Sequence, residues 1–324
     1  MTWAWRAVVV LGAACAAAGG VRAQERATIV PWPVQGKVQM LHGAGANIAV
    51  QIGDLGVVVV DTGLAQHTEA VVAAIRGLTA KPVRYVINTH AHADHTGGNE
   101  RLATSGAAIQ PRGVATVGAG QRAGAEIIAH ELTLNRMSAP AGSRAPTPVA
   151  AWPTATFSGR TKEFFFNDEG IQIVHQPSAH TDGDAIVYFR RSDVIAAGDV
   201  YSTESFPIID AERGGSIQGV LDGLNLLLGL VISGEKNEGG TMIVPGHGRI
   251  SDESDLVEYR DMVTIIRDRV RDLVQKGRTL EQVKAARPTL DYDGLYGSAP
   301  GWNANQFVEA VFRTIPPAPP RTTR

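Results

Sequence analysis

Cysteine is almost missing from this sequence: Cys15 is the only one in 324 residues. A disulfide framework is therefore excluded, and so is a metal site built on several thiolates. Cys15 itself falls in residues 1–23, which read as a secretory leader. Arg6 supplies the positive start, Ala7–Ala18 is apolar but too short to span a bilayer, and Val21-Arg22-Ala23 fits the small-residue rule before a cleavage point. Cleavage is expected after Ala23, giving an exported protein, periplasmic or secreted. Cys15 could instead be a lipidation site, against which stands Gly12 at the third position before it.

Positive charge is also scarce. Thirty Lys and Arg face 32 Asp and Glu, a balance of −2, which becomes −4 once Arg6 and Arg22 leave with the leader. A mildly acidic exported chain lacks the basic footprint that nucleic acid requires. Nor does any later run have the length and apolarity of a membrane helix, so no stable membrane insertion is expected after cleavage. The partner to look for is a small-molecule substrate; the sequence leaves the oligomeric state open. Without a thiol, every metal ligand of the mature chain must be nitrogen or oxygen.

What the chain does have is Val86–Asn99, VINTHAHADHTGGN. His90, His92, Asp94 and His95 put four metal-binding side chains into six residues directly after an apolar run, a ligand spacing typical of metal sites. If the chain stays extended from the strand ending near Asn88 through His92, then His90 and His92 project to one side and can share an ion. Asp94 and His95 then fall in the following turn, where Gly97 and Gly98 are expected to bend the backbone sharply into a helix, aiming these two at a second position.

Before this motif, residues 24–36 are expected to be an arm. Strands are expected at Lys37–Leu41, Asn47–Ile52 and Val57–Asp61, with glycine-containing turns between them. The last, VVVVDTG, is apolar on both faces and suits a strand covered on each side. Asp61 at its end is either a helix cap or a second-shell partner of the histidines. Ala65–Leu78 has helical spacing. Beyond Asn99 the pattern predicts a short helix, a strand near Ala107–Gln110, a long helix from about Val114 to Met137 carrying His130, and a loop over Ser138–Pro153.

The second half is rich in strands: Glu163–Asn167, Ile171–Gln176, Ala185–Arg190, Asp193–Ala197 and Thr241–Val244. Three of their ends carry polar motifs beside glycine: PSAHTDGD with His180, GDVY with Asp199, and PGHG with His247. Functional side chains collect at such positions in layered folds. Tyr201, Phe206 and Ile208, just past Asp199, are candidates for the substrate pocket. Helices are expected at Ile217–Val231, Ser254–Lys276, Thr279–Arg287 and Asn303–Ile315, and IPPAPPRTTR (residues 315–324) reads as a disordered tail.

The succession HxHxDH, AHT, GD and PGHG resembles the metallo-β-lactamase superfamily, in particular an exported β-lactamase-like subgroup, from about Lys37 to Gly277. The resemblance implies an α/β fold, a four-layer αββα sandwich with two mixed sheets face to face. It assigns a catalytic domain to residues 37–277, a C-terminal helical extension to 278–315 and the tail to 316–324. It also implies that His90, His92 and His180 hold one metal, that Asp94, His95 and His247 hold the other, and that Asp199 bridges both. Asp61 matches the family's buried acid, Asp184 is a turn residue or second-shell partner, and His175, His130, His42 and His67 stay outside the ligand set.

An N/O-only set suits two Zn²⁺ best, with Fe or Mn possible. Two ions roughly 3.5–4 Å apart can share a water and lower its pKa to about 7, with Asp94 or Asp199 orienting the nucleophile or passing a proton. The reaction so implied is hydrolysis of an ester, lactone, thioester or amide, with β-lactams among the substrates to test. A bridging Asp199, and Ser202 where lactamases with a cysteine ligand carry a lysine, place efficient lactam turnover in doubt. Two other classes fit the same residues: a single-iron oxygenase on this fold, and a metal-binding protein without turnover.

Overall fold

The computed structural model describes residues 28–109, 124–140, 146–236 and 239–315. The leader with Cys15, the tail 316–324 and residues 110–123 of the expected strand and long helix lie outside the described residues.

Seven strands form the first sheet, in sequence order: β1 (Val30–Gln35), β2 (Val38–His42), β3 (Ile48–Gly53), β4 (Gly56–Val60), β5 (Val83–Ile87), β6 (Glu126–His130) and β7 (Ala155–Phe157). The first four are an antiparallel meander, and the last three add in parallel. The second sheet is ordered β12-β11-β10-β9-β8, from β8 (Thr161–Phe166), β9 (Glu169–His175), β10 (Ala185–Phe189), β11 (Val194–Ser202) and β12 (Met242–His247). Only the β11–β12 pair in it is parallel.

Alternation along these strands builds three packed interiors. In β4, Val58 and Val60 join Ile173, Val187 and Ala196 between the two sheets. Their neighbours Val57 and Val59 turn outward to α1 (Thr68–Leu78), and β5 and β6 split likewise at Val86/Ile87 and Ile127/Ile128. Side chains two apart share a face, so a run of four valines serves two interiors at once. Also on the first sheet's side are α2 (Ala93–Thr96), α3 (Asn99–Ser105) and α4 (Glu131–Ser138), of which α3 sends Leu102 into the outer interior. Outside the second sheet, α5 (Ile217–Leu230) and α6 (Glu253–Gln275) cover Ile186, Ile195 and Ala197. This is the four-layer αββα sandwich with C-terminal helices.

The C-terminal segment thickens the outer layer. Val283 of α7 (Leu280–Ala285) and Phe307, Val308 and Val311 of α9 (Ala304–Thr314) join the α5–α6 interior. Between these helices, α8 (Asp293–Tyr296) leads into a two-stranded hairpin of β13 (Ser298–Ala299) and β14 (Trp302–Asn303). Capping follows the sequence: Ser216 accepts from the Gly219 N–H, Asp252 from Asp255, and Thr279 and Asn303 each form a capping box.

Three expectations need correction. Residues 30–35, expected within an arm, form edge strand β1; Pro31 and Pro33 disguised it, yet a sheet edge tolerates proline because one side of its ladder is unpaired. Residues 126–130, expected in a long helix, are strand β6, with helix only from Glu131. Residues 107–109 form no strand. Gly97 and Gly98 carry the chain from α2 into α3 on right-handed backbone, at φ −62 and −89. A Cβ on Gly97 would strike Ala65 N and Ala93 O, and one on Gly98 the Thr62 carbonyl, so close approach is what requires glycine there.

Candidate metal centre

The two sheets meet at one edge, where strand ends from both deliver polar side chains. The loop after β5 carries His90, and His92 caps α2 with extended backbone (φ −68, ψ 151). One helical turn, α2, then presents Asp94 and His95, which therefore lie on a helix and not in a turn. The β9–β10 loop contributes His180. Asp199 lies within β11, just after Gly198, whose positive φ of 53 accompanies a register shift against β12. His247 is the last residue of β12, before Gly248 at φ 97.

All seven side chains converge in two groups. His90, His92, His180 and Asp199 offer donor atoms within 4.8 Å of one another, and Asp94, His95 and His247 do the same. In the first group His92 Nδ1 lies 3.2 Å from His90 Nε2 and 2.8 Å from His180 Nε2. Asp199 faces both groups with different oxygens. Its Oδ2 is 3.9 Å from His90 Nε2 and 3.6 Å from His180 Nε2, while its Oδ1 is 3.2 Å from His95 Nε2 and 3.4 Å from His247 Nε2. Asp94 Oδ2 closes the second group at 3.6 Å from His95 Nε2 and 3.4 Å from His247 Nε2.

The opposite ring nitrogens are held by partners that fix each tautomer. His95 Nδ1 donates to Asp61 Oδ2 (2.7 Å), and His180 Nδ1 to the Ile208 carbonyl (2.7 Å). His92 Nε2 donates to Asp210 Oδ2 (3.0 Å), which Arg213 also grips (2.5 Å). The Thr89 hydroxyl gives its one proton to Asp61 Oδ2 (2.7 Å), so it must accept from His90 Nδ1 (3.1 Å). Every one of these rings is left with a lone pair aimed into the cluster, the arrangement that metal-ligating histidines adopt.

These residues fit metal ions. A tetrahedral site with bonds of 2.0–2.1 Å has ligand–ligand edges of about 3.3 Å, close to the His92 distances above. His95 Nε2 and Asp199 Oδ1 are fully buried and have no hydrogen-bond partner among the described residues, although buried polar atoms are rarely left so. A cation would satisfy both.

In the metal-free protein the imidazoles are pushed in opposite directions. Burial dominates at His90, which is held well below the ordinary histidine range, and at His180, lowered to about 4. Burial opposes charge at His95 and His247 too, but Asp199 outweighs it, with Asp61 assisting at His95. Thus His95 is raised well above the usual range and His247 to about 10. Asp199 is correspondingly held far down by His95 and His247 against its own burial, and Asp94 is lowered to about 2 against its burial by His247 and His95.

The other sequence candidates divide. Asp61 is 2 % exposed and accepts from Thr89 N, Thr89 Oγ1 and His95 Nδ1, so it braces the centre and caps no helix. Asp184 closes the His180 turn, accepting from Thr181 N (2.8 Å) and Thr181 Oγ1 (2.5 Å), and burial pushes its carboxyl up to about 8. It is the turn residue and touches no ligand ring. A pocket of about 320 Å³ opens over the cluster, and Ile208 lines it. Tyr201 and Phe206 do not: they are 1 % and 0 % exposed and pack on Tyr259 and Phe307 beneath the helices.

His175 and His130 stay outside the cluster, as expected; their rings stack at 3.6 Å, and His130 caps α4 through Leu132 N. Sequence reading missed Asp210, Thr89 and Asn47. Asn47 Nδ2 donates to the carbonyls of Pro245 (3.0 Å) and Gly248 (2.9 Å), clamping the His247 loop from the other sheet. No local spacing signals a contact across about 200 residues. Also missed was the C-terminal hairpin, whose Ala299, Pro300 and Trp302 line the pocket.

Comparison with known proteins agrees with this geometry. The family model described as the metallo-beta-lactamase superfamily matches residues 43–285. The chain is 28% identical over 176 residues to the 2,4-dinitroanisole O-demethylase subunit alpha of Nocardioides sp. (strain JS1661), across 53% of this chain and 46% of that protein. It thus spans about half the length of that curated relative. Among solved structures it resembles the inverting sec-alkylsulfatase Pisa1 from Pseudomonas sp. (TM-score 0.61, 16% identity, 88% of this chain and 50% of that one). It also resembles a metallo-beta-lactamase from Pontibacter korlensis (TM-score 0.54, 18% identity, 73% and 99%). At these identities the structural likeness speaks for the fold.

Proposed function

The chain belongs to the metallo-beta-lactamase superfamily, and from that premise we propose that it is an exported hydrolase dependent on two metal ions, zinc first, that opens esters, lactones or amides of small molecules. The observation that carries this reading is the placement of Asp199, one carboxylate oxygen toward each histidine group.

His90, His92 and His180 would hold one ion, Asp94, His95 and His247 the other, and Asp199 both. When bound, such a pair supplies Lewis-acid polarisation of a carbonyl and a water of lowered pKa. The chain's own residues supply the rest. Asp61, Thr89, Asp210 and Ile208 O keep the imidazoles aimed. Asp94, whose side chain is 30% exposed and lines the pocket, can take a proton from a water and return it to a departing group. Ser205 and Ile208 line the pocket. Ser202 bonds to the His247 carbonyl (3.5 Å) and to Ser205 (3.2 Å) and offers no cation to a lactam carboxylate, so β-lactams are side substrates at best.

The test is metal quantification of the secreted mature protein, then a hydrolysis screen of wild type beside Asp94→Ala and His180→Ala. Two metals per chain and activity lost in both variants are expected; equal activity in all three overturns the reading. The relative named as a 2,4-dinitroanisole O-demethylase subunit adds cleavage of an aryl methyl ether to the screen, and one Fe per chain would favour the second reading, a single-iron oxygenase.

A further inference from the structure

Five ligand side chains floor the pocket, His92, Asp94, His180, Asp199 and His247. Its walls are Glu204, Ser205 and Ile208 from the segment after β11, and Ala299, Pro300 and Trp302 from the C-terminal hairpin. The hairpin lies beyond the family match, which ends at residue 285. It is nevertheless fixed in place: Phe206 N donates to the Tyr296 carbonyl (3.2 Å), Tyr296 packs on Tyr259 and Phe206, and Trp302 leans on the helical interior. About 320 Å³ is at the small end of ligand pockets, so this wall must meet whatever occupies the floor.

The wall's chemistry is one-sided. Ile208, Ala299, Pro300 and Trp302 are apolar, and among the described residues lining the pocket the only charge off the floor is Glu204. Among the described residues no lysine or arginine lines it. Of the nearby guanidiniums, Arg213 is held on Asp210 behind the His92 ring, 3.4 Å from its Nε2, and Arg249 is held on Asp255. A substrate carboxylate reaching past the metals would meet Glu204 and no counter-charge. The Trp302 indole N–H is buried and has no acceptor among the described residues, whereas buried indoles ordinarily have one.

We propose that the hairpin Ser298–Asn303 is the specificity wall of the centre, and that it selects substrates whose group beside the scissile carbonyl is apolar and carries no negative charge. The proposal rests on the metal-dependent reading above and gives it a substrate class. Trp302 supplies the apolar face, and Glu204 at the rim repels acids.

Binding separates this claim from turnover. With the zinc-loaded protein, calorimetric affinities are compared for acetohydroxamate, phenylacetohydroxamate and the monohydroxamate of succinate, three chelators of one head group that differ beyond it. Wild type should bind the phenylacetyl compound at least tenfold more tightly than the succinyl one. Trp302→Ala should shrink the phenylacetyl-to-acetyl affinity ratio at least fivefold. Glu204→Gln, an exposed change that does not burden folding, should raise succinyl affinity about fivefold, the size of one charge contact of about 1 kcal/mol in water. Equal wild-type affinities for the phenylacetyl and succinyl compounds overturn the proposal, as does a Trp302→Ala effect common to all three or a Glu204→Gln variant that binds them as wild type does. If no ester or lactone is hydrolysed but these preferences hold, the hydrolase reading fails and the wall stands.

Discussion

Asp61 offers the sharpest test of how the centre is held together. Its carboxylate is buried at the end of β4 and accepts three hydrogen bonds, from Thr89 N at 2.8 Å and from Thr89 Oγ1 and His95 Nδ1 at 2.7 Å. Its backbone is left-handed, φ 64, where Asp and Asn are tolerated better than alanine. Asp61→Ala strands the Thr89 N–H and the His95 N–H in the interior, at about 1–3 kcal/mol each, and adds roughly 1–2 kcal/mol of backbone strain. The metal-loaded fold should lose about 3–8 kcal/mol, a large share of the roughly 5–15 kcal/mol that holds a domain together. Asp61→Asn keeps the backbone and one acceptor but turns an amide N–H toward groups that donate. It should lower affinity for the ion on His95 about 10–100-fold, the usual effect of removing a second-shell acceptor. Chelator-competition titration reads the affinity, and urea unfolding reads the stability. Asp61→Asn binding both ions within threefold of wild type would refute the argument that this carboxylate orients His95.

Three further outcomes follow from the geometry. His247 in the metal-free protein is raised to about 10, so the stability its charge contributes is complete below pH 6.5 and is lost as pH rises toward 10. Metal needs the neutral ring, so loading at pH 7 should release at least one proton, measured by calorimetry in buffers of different ionisation enthalpy; no release would contradict the assignment. Gly246→Ala places a Cβ onto Asp199 Oδ1 and against the Gly198 backbone, and should abolish binding of the metal pair while leaving most secondary structure by circular dichroism. Glu169, 1 % exposed, accepts from Gln51 Nε2 (2.6 Å), Ser192 N (2.5 Å) and Ser192 Oγ (3.2 Å), pinning one sheet to the other. Glu169→Ala should cost about 2–5 kcal/mol in urea unfolding with metal content unchanged, since it lies about 20 Å along β9 from the centre.

The seven side chains that converge at the seam were legible because each part is local. His90 to His95 lie within six residues, and His180, Asp199 and His247 each stand where an apolar run gives way to glycine. The sandwich was legible for the same reason, in runs such as Val57–Val60. What sequence hid were long-range contacts and ambiguous runs. Asp210 reaches His92 across 118 positions, and Asn47 meets the His247 loop across about 200, with nothing at either end to announce the pair. Residues 126–130 are a short apolar run before a helix, for which period alone cannot choose between strand and helix. Phe206 and Ile208 are near neighbours of like hydropathy, and only the packing of α9 decides that one is core and the other wall.

The ligands are drawn from both sheets: His90, His92, Asp94 and His95 follow the first, and His180, Asp199 and His247 belong to the second. Loaded ions would therefore act as rivets through the seam of the sandwich, adding RT ln(1 + [M]/Kd) to the folded state. Scarcity of the metal would then shorten the life of the protein itself, with the seam opening to proteases in molecules that had gone without.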